Sequence, residues 1–200
     1  MITAILILLC TMFSLYAWTS PHNLAFSGSA LFNGDYYTLV SGLFVHANLV
    51  HLIGNMVFLF IFGNLLENEV GNLRTGAVFF AGGILSFVLS IPFYPDSIMV
   101  GASAAIFAVM AALLLVRPPA YSLQFLSPMG PLVIVFLIFN VVAIENGASG
   151  NVAYISHVIG FVIGLFFGAS WNKKWMESLL YTLGLLVIYF VLYNYLKTVV

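Results

Sequence analysis

The sequence predicts an all-α, polytopic membrane protein, and three observations carry that prediction. Of its 200 residues, 63% are hydrophobic and only 6% are charged, a balance that the single core of a water-soluble domain cannot hide. The apolar residues gather into long runs, close to the ~20 residues that a helix needs to cross about 30 Å of hydrocarbon. Between the runs, Gly, Pro, Asn and charge collect in turn-rich stretches.

Seven segments meet the criterion, at about 2–18, 47–66, 73–91, 101–116, 130–145, 153–170 and 178–196. The first has no Lys or Arg ahead of its apolar run and no small-residue cleavage pattern, so it is expected as a retained helix rather than a signal peptide. Leu9 precedes Cys10 where a lipoprotein attachment site would want a small residue, and one cysteine permits no internal disulfide. The second segment is entered through His46-Ala-Asn-Leu-Val-His51-Leu-Ile-Gly-Asn55, and the fourth opens on Gly101-Ala102-Ser103-Ala104-Ala105. The sixth carries Ser156-His157 near its start, while the seventh offers no identifiable chemistry. The stretches 20–35, 92–97, 117–128, 145–151 and 172–177 read as loops of one membrane domain covering 1–200.

Lys and Arg are retained on the cytoplasmic side of short loops. With the N-terminus inside, Arg74, Arg117, Lys173 and Lys174 are cytoplasmic and only Lys197 is outside. The expected location is therefore the cell membrane, multi-pass, with a cytoplasmic N-terminus. No internal repeat, low-complexity tract, nucleotide-binding glycine loop or basic nucleic-acid patch is found, so no nucleic-acid partner is expected.

Polar side chains inside spanning helices are costly, and they mark the places where function is to be sought. Taken singly, Ser103 among small residues is the ordinary recipe for close helix packing, and His157 equally suits a cross-link between helices. In the expected topology, however, the second, fourth and sixth helices all run from outside to inside. His51 with Asn55, Ser103, and His157 then share one depth near the outer face. His157, Gly160, Gly164 and Gly168 fall on one helical stripe, and Ala104, Ala108 and Ala111 offer a facing strip of small residues beside Ser103. Two such strips bring Ser103 and His157 within reach of each other. Histidine near neutrality can take the proton of a serine hydroxyl and so make it a nucleophile. The helix N-terminus at Ser103 offers backbone N–H groups to a developing oxyanion, with His51 and Asn55 as added side-chain donors.

Together these residues resemble the rhomboid intramembrane serine proteases, whose pattern joins H-x4-H-x3-N (His46, His51, Asn55), G-x-S (Gly101, Ser103) and H-x2-G-x3-G (His157, Gly160, Gly164). The match runs from about Tyr37 to Gly168. The resemblance implies a six-helix bundle over about 1–170, with one additional C-terminal transmembrane helix at about 178–196. It implies Ser103 as nucleophile, His157 as base, and His51 with Asn55 as oxyanion donors, supported by His46, Gly101, Phe107, Gly160 and Gly164. Phe107 falls where the family often packs an aromatic ring on the catalytic imidazole. Glu67 matches a family position of structural character, with a basic residue such as Arg74 as its expected partner. The chain departs from the pattern at Tyr37-Thr38, where Trp-Arg is common, and at Ala104 and Ala108, where glycine or another small residue is usual.

The function this implies is an endopeptidase that cuts transmembrane or membrane-proximal segments of other membrane proteins near the outer face. It needs no cofactor and no metal, and its partners are those substrates and the lipid bilayer. A dyad is implied, because Asp96 and Glu145 fall in outer loops. A zinc protease would want H-E-x-x-H, whereas His46 and His51 are five apart. An aspartyl protease would want intramembrane aspartates, whereas Asp35 and Asp96 are in loops. The alternative is a rhomboid-like protein that binds or escorts membrane proteins without cutting. A transporter would require a polar path across the bilayer, but the polar residues gather at one side.

Overall fold

The computed structural model describes residues 1–20, 22–95, 97–116 and 154–180, together with 184, 187 and 191. The expected fifth span at 130–145, the acids Asp96 and Glu145 expected in outer loops, and most of the expected seventh span lie outside them. Among the described residues the regular elements are all helices: α1 (Ile2–Thr19), α2 (Gly28–Phe32), α3 (Thr38–Phe44), α4 (Leu49–Phe58), a π-helical turn (Leu59–Gly63), α5 (Asn64–Ser90), α6 (Ser103–Val116) and α7 (Tyr154–Trp171). Ile2–Thr19, Leu49–Ser90 and Tyr154–Trp171 are each long and apolar enough to cross a membrane.

The 42-residue run Leu49–Ser90 is about 60 Å of helix at 1.5 Å per residue, enough for two crossings, and the chain reverses inside it at Gly71. Gly71 takes φ 83° and ψ 171°, a conformation that a side chain would strain. Contacts on either side establish the reversal. Glu67 and Asn72, flanking Gly71, both accept backbone N–H groups from the first turn of α1. Phe44, the last residue of α3 and five positions before α4 begins, packs on Phe79 and Phe80 of α5. The second and third expected spans are thus an antiparallel pair with almost no loop between them.

Glu67 does not pair with Arg74 as expected. Its carboxylate accepts the Thr3 N–H at 2.9 Å and forms an ion pair with the Met1 amino group. The physical reason is that the first N–H groups of a helix have no intrahelical acceptor and favour a negative charge beside them. Arg74 instead sits over the Trp171 ring, 5.7 Å from its centroid. Arg74 and Lys173 and Lys174, which follow α7, therefore collect at one end of the bundle.

The stretch 20–35, expected as loop, contains α2, and α3 follows before the second span begins. Ser27 starts α2 by accepting the Ala30 N–H at 3.1 Å, an ordinary N-cap. Phe26, buried beside it, stacks on Phe87 of α5 at 5.0 Å between centroids. Periodicity cannot find a five-residue helix, so its cap was the available signal.

α6 holds the centre. Every residue from Ala104 to Leu115 is buried, which is what a helix apolar on all sides requires. At 14 residues it is shorter than a typical span, and it is enclosed by its neighbours. Lipid tails give no hydrophobic drive for helices to associate, so close backbone packing through small residues has to hold it.

Candidate active site

α6 and α7 run in the same direction and meet backbone to backbone. A Cβ placed on Gly160 would collide with the Ala104 carbonyl oxygen, one on Gly164 with that of Ala108, and one on Gly168 would lie 2.8 Å from that of Ala112. Both helices thus advance four residues per rung over three rungs. The third rung is Ala112 rather than the expected Ala111, because a repeat of four from Ala104 and Ala108 reaches 112. Ala108, where the family pattern is usually smaller still, fits because Gly82 of α5 stands opposite its methyl group.

This ladder sets the reacting groups. Ser103 is the first residue of α6, one before the first rung, and His157 lies on α7 three before Gly160. His157 Nε2 stands 2.7 Å from Ser103 Oγ. A serine hydroxyl donates at that distance to an unprotonated imidazole nitrogen. The Phe107 ring stacks on the imidazole with centroids 4.9 Å apart and planes 9° from parallel, and Tyr154 meets it edge-on at 6.4 Å.

The segment leading into Ser103 is tied down at three successive points. Phe26 and Met99 exchange backbone hydrogen bonds, Gly101 N–H donates to the Gly42 carbonyl at 2.8 Å, and Ala102 N–H points to His46 Nε2 at 3.4 Å. Gly101 has φ +111°, and a Cβ there would lie 2.8 Å from the His51 ring. Both the backbone conformation and the close approach of His51 therefore require glycine. His46 is fully buried and meets the His51 ring edge-on at 5.1 Å between centroids. It lies in the connection between α3 and α4, outside the spanning helices. Burial first, and the neighbouring His51 second, push its pKa down to about 4, so it is neutral at pH 7.

His51 lies against Gly101, two residues before Ser103. Asn55 is buried one turn further along α4, and its side-chain amide donates to the His51 carbonyl at 2.9 Å. An amide carries two N–H groups, and that bond uses one. The structure thus brings His46, His51, Gly101, Ser103, Phe107 and His157 together at the end of the bundle away from Arg74, with Asn55 one turn along α4 from His51, while Gly160 and Gly164 continue the α6–α7 contact from there toward the middle of the bundle. At Tyr37-Thr38, where the chain departs from the pattern, side-chain bonds to nearby carbonyls hold the segment. Tyr37 hydroxyl donates to the Asn23 carbonyl, Thr38 hydroxyl to that of Asp35, and Ser41 hydroxyl to that of Leu24.

Three contributors were not anticipated from sequence. Ser14 and Trp18 of α1 bond to His46, through Nδ1 at 3.1 Å and through its carbonyl at 2.8 Å. Tyr94 hydroxyl accepts the Ile155 N–H in the first turn of α7. For Ser14 the available signal was a hydroxyl within an apolar run, which alone fits many roles.

Fold and site together define a helical membrane protein with a serine and a histidine joined at the mouth of two tightly packed helices. The rhomboid domain model matches residues 33–174, and the chain belongs to the rhomboid family. Among similar proteins, RHOMBOID-like protein 7 of Arabidopsis thaliana is 28% identical over 144 residues, covering 70% of this chain and 44% of that protein. Rhomboid-related protein 1 of Caenorhabditis elegans is 30% identical over 142 residues, covering 68% and 40% respectively. RHOMBOID-like protein 2 of Arabidopsis thaliana is 30% identical over 132 residues, covering 66% and 41%. The chain thus spans less than half the length of these relatives.

Proposed function

We propose that this protein is an intramembrane serine endopeptidase acting on transmembrane or membrane-proximal segments of other membrane proteins, and the 2.7 Å contact of His157 Nε2 with Ser103 Oγ carries the reading. Ser103 Oγ attacks the scissile carbonyl carbon as its proton passes to His157 Nε2. The resulting oxyanion is held by the Ser103 backbone N–H with His51 and Asn55. His157 then gives its proton to the departing amine, leaving an acyl group on Ser103, and a water activated by His157 releases the acid product. Protonated His157 carries its charge only transiently, and the stacked Phe107 face supports the imidazolium. The domain unit is the whole of 1–200, with the rhomboid core at about 1–170.

The test is cleavage of a model transmembrane substrate by purified protein in proteoliposomes. Cut fragments that require Ser103 support the protease, whereas tight substrate binding without fragments would make the protein a rhomboid-like escort instead.

Asn55→Ala is expected to lower kcat with little change in KM, since a donor to the oxyanion acts mainly in the transition state. One such donor is worth on the order of 10² to 10³ in kcat elsewhere, and the loss here is expected to be smaller because other donors share the load. Per-molecule kcat and melting temperature on the same preparation check this. A destabilised enzyme with unchanged kcat would leave Asn55 only its bond to the His51 carbonyl.

The site is assigned to the outer face, with the Arg74 end cytoplasmic, on the distribution of Lys and Arg. Cys10, the single native cysteine, is fully buried, so introduced thiols report cleanly. Ser97→Cys is expected to react with an impermeant thiol reagent on intact cells and Lys173→Cys is not. The reverse pattern would turn the site inward.

A further inference from the structure

We propose that Ser14 of α1 is a positioning residue for the nucleophile loop, acting by fixing the tautomer of His46. The inference rests on the reading of Ser103 as nucleophile only for its effect on reactivity. Ser14 is fully buried, and its Oγ lies 3.1 Å from both His46 Nδ1 and the Phe44 carbonyl oxygen. On the other side of the same imidazole, Nε2 faces the Ala102 N–H at 3.4 Å.

A backbone N–H can only donate, so Nε2 has to be the bare nitrogen. A neutral imidazole then carries its proton on Nδ1. That N–H donates to Ser14 Oγ, and the Ser14 hydroxyl proton goes to the Phe44 carbonyl. The order runs Ala102 N–H to His46, His46 to Ser14, Ser14 to Phe44. With the proton on Nε2 instead, two donors would face each other at Ala102, and Ser14 would have to abandon the Phe44 carbonyl to donate to Nδ1. The Phe44 carbonyl, which also accepts from the His46 imidazole, would then lose both of its side-chain donors, and that makes the arrangement costly.

Ala102 immediately precedes Ser103, and its carbonyl accepts the Ile106 N–H in the first turn of α6. Its position therefore sets where Ser103 enters the helix. At 3.4 Å the Ala102 contact is long, and it holds only while an acceptor faces it. Ser14 thus acts on Ser103 through two intervening groups, from a helix that carries neither Ser103 nor His157.

The experiment uses the full chain in detergent, with Ser14→Ala and Ser14→Thr, which restores the hydroxyl. Two readouts are taken: the rate at which a fluorophosphonate modifies the folded fraction, and the ¹⁵N spectrum of histidine-labelled protein, with the His46 signals assigned by their loss in His46→Gln. Wild-type His46 is expected in the Nδ1–H form. Ser14→Ala is expected to give a mixture of tautomers and a modification rate about five- to tenfold lower, the scale of one hydrogen bond, and Ser14→Thr to recover both. Wild-type His46 in the Nε2–H form would overturn the proposal without any variant. So would a Ser14→Ala protein that melts lower but keeps the wild-type tautomer and rate per folded molecule. A wild-type protein untouched by the probe would count against the nucleophile assignment, and the tautomer spectrum would still decide the role of Ser14.

Discussion

Ser103→Ala and His157→Ala are each expected to abolish measurable proteolysis, a loss on the order of 10⁴-fold or more, while leaving a folded membrane protein. The hydroxyl is unreactive until its proton is taken, and the imidazole 2.7 Å away is the group placed to take it. Neither substitution adds volume, and neither residue forms a rung of the α6–α7 ladder, so the fold is expected to persist. The double variant is expected to be no worse than either single one, because residues that act as a unit give non-additive losses. Initial rates on a transmembrane substrate, normalised to folded protein by melting curves, check all three. Losses that multiply in the double variant would mean that the two side chains work independently.

The second large effect concerns the ladder. Gly160→Ala and Gly164→Ala are each expected to destabilise the bundle by about 3 kcal/mol, at the upper end for overpacked cores. The new methyl group would meet the Ala104 or Ala108 carbonyl, which belongs to backbone and cannot swing aside. Activity is expected to fall with stability, because forcing α7 away from α6 also parts His157 from Ser103. Gly54→Ala is the control. Nothing lies within 4 Å of a Cβ at Gly54, so its effect is expected to stay within about 1 kcal/mol. Denaturation midpoints in detergent distinguish the three. Equal midpoints for Gly160→Ala and Gly54→Ala would contradict the backbone contact.

Much of this arrangement was legible in the sequence because bilayer chemistry makes it so. An apolar run reports a span through its length alone, and a polar group within one stands out against it. The glycine stripe at 160, 164 and 168 on one side and Ala104 with Ala108 on the other announced two helices in close contact, which is the feature that brings Ser103 to His157. The third rung was misplaced by one residue, since Ala111 and Ala112 are both small and only the packing direction chooses between them. The Glu67 expectation failed for a different reason. Arg74 is near in sequence and opposite in charge, whereas the actual partner is a set of N–H groups at the start of α1, more than sixty positions away. Helix termini carry no charged letter in a sequence. Ser14 was missed likewise, because its meaning lies in which nitrogen of His46 it faces, and no spacing encodes that contact.

The assignment of Ser103 as nucleophile and His157 as its base is tested by reacting the purified chain with a fluorophosphonate, followed by intact mass and peptide mapping. One adduct is expected, on Ser103, absent in Ser103→Ala and formed far more slowly in His157→Ala. An adduct on another residue, or Ser103 modified at the same rate without His157, would contradict the assignment.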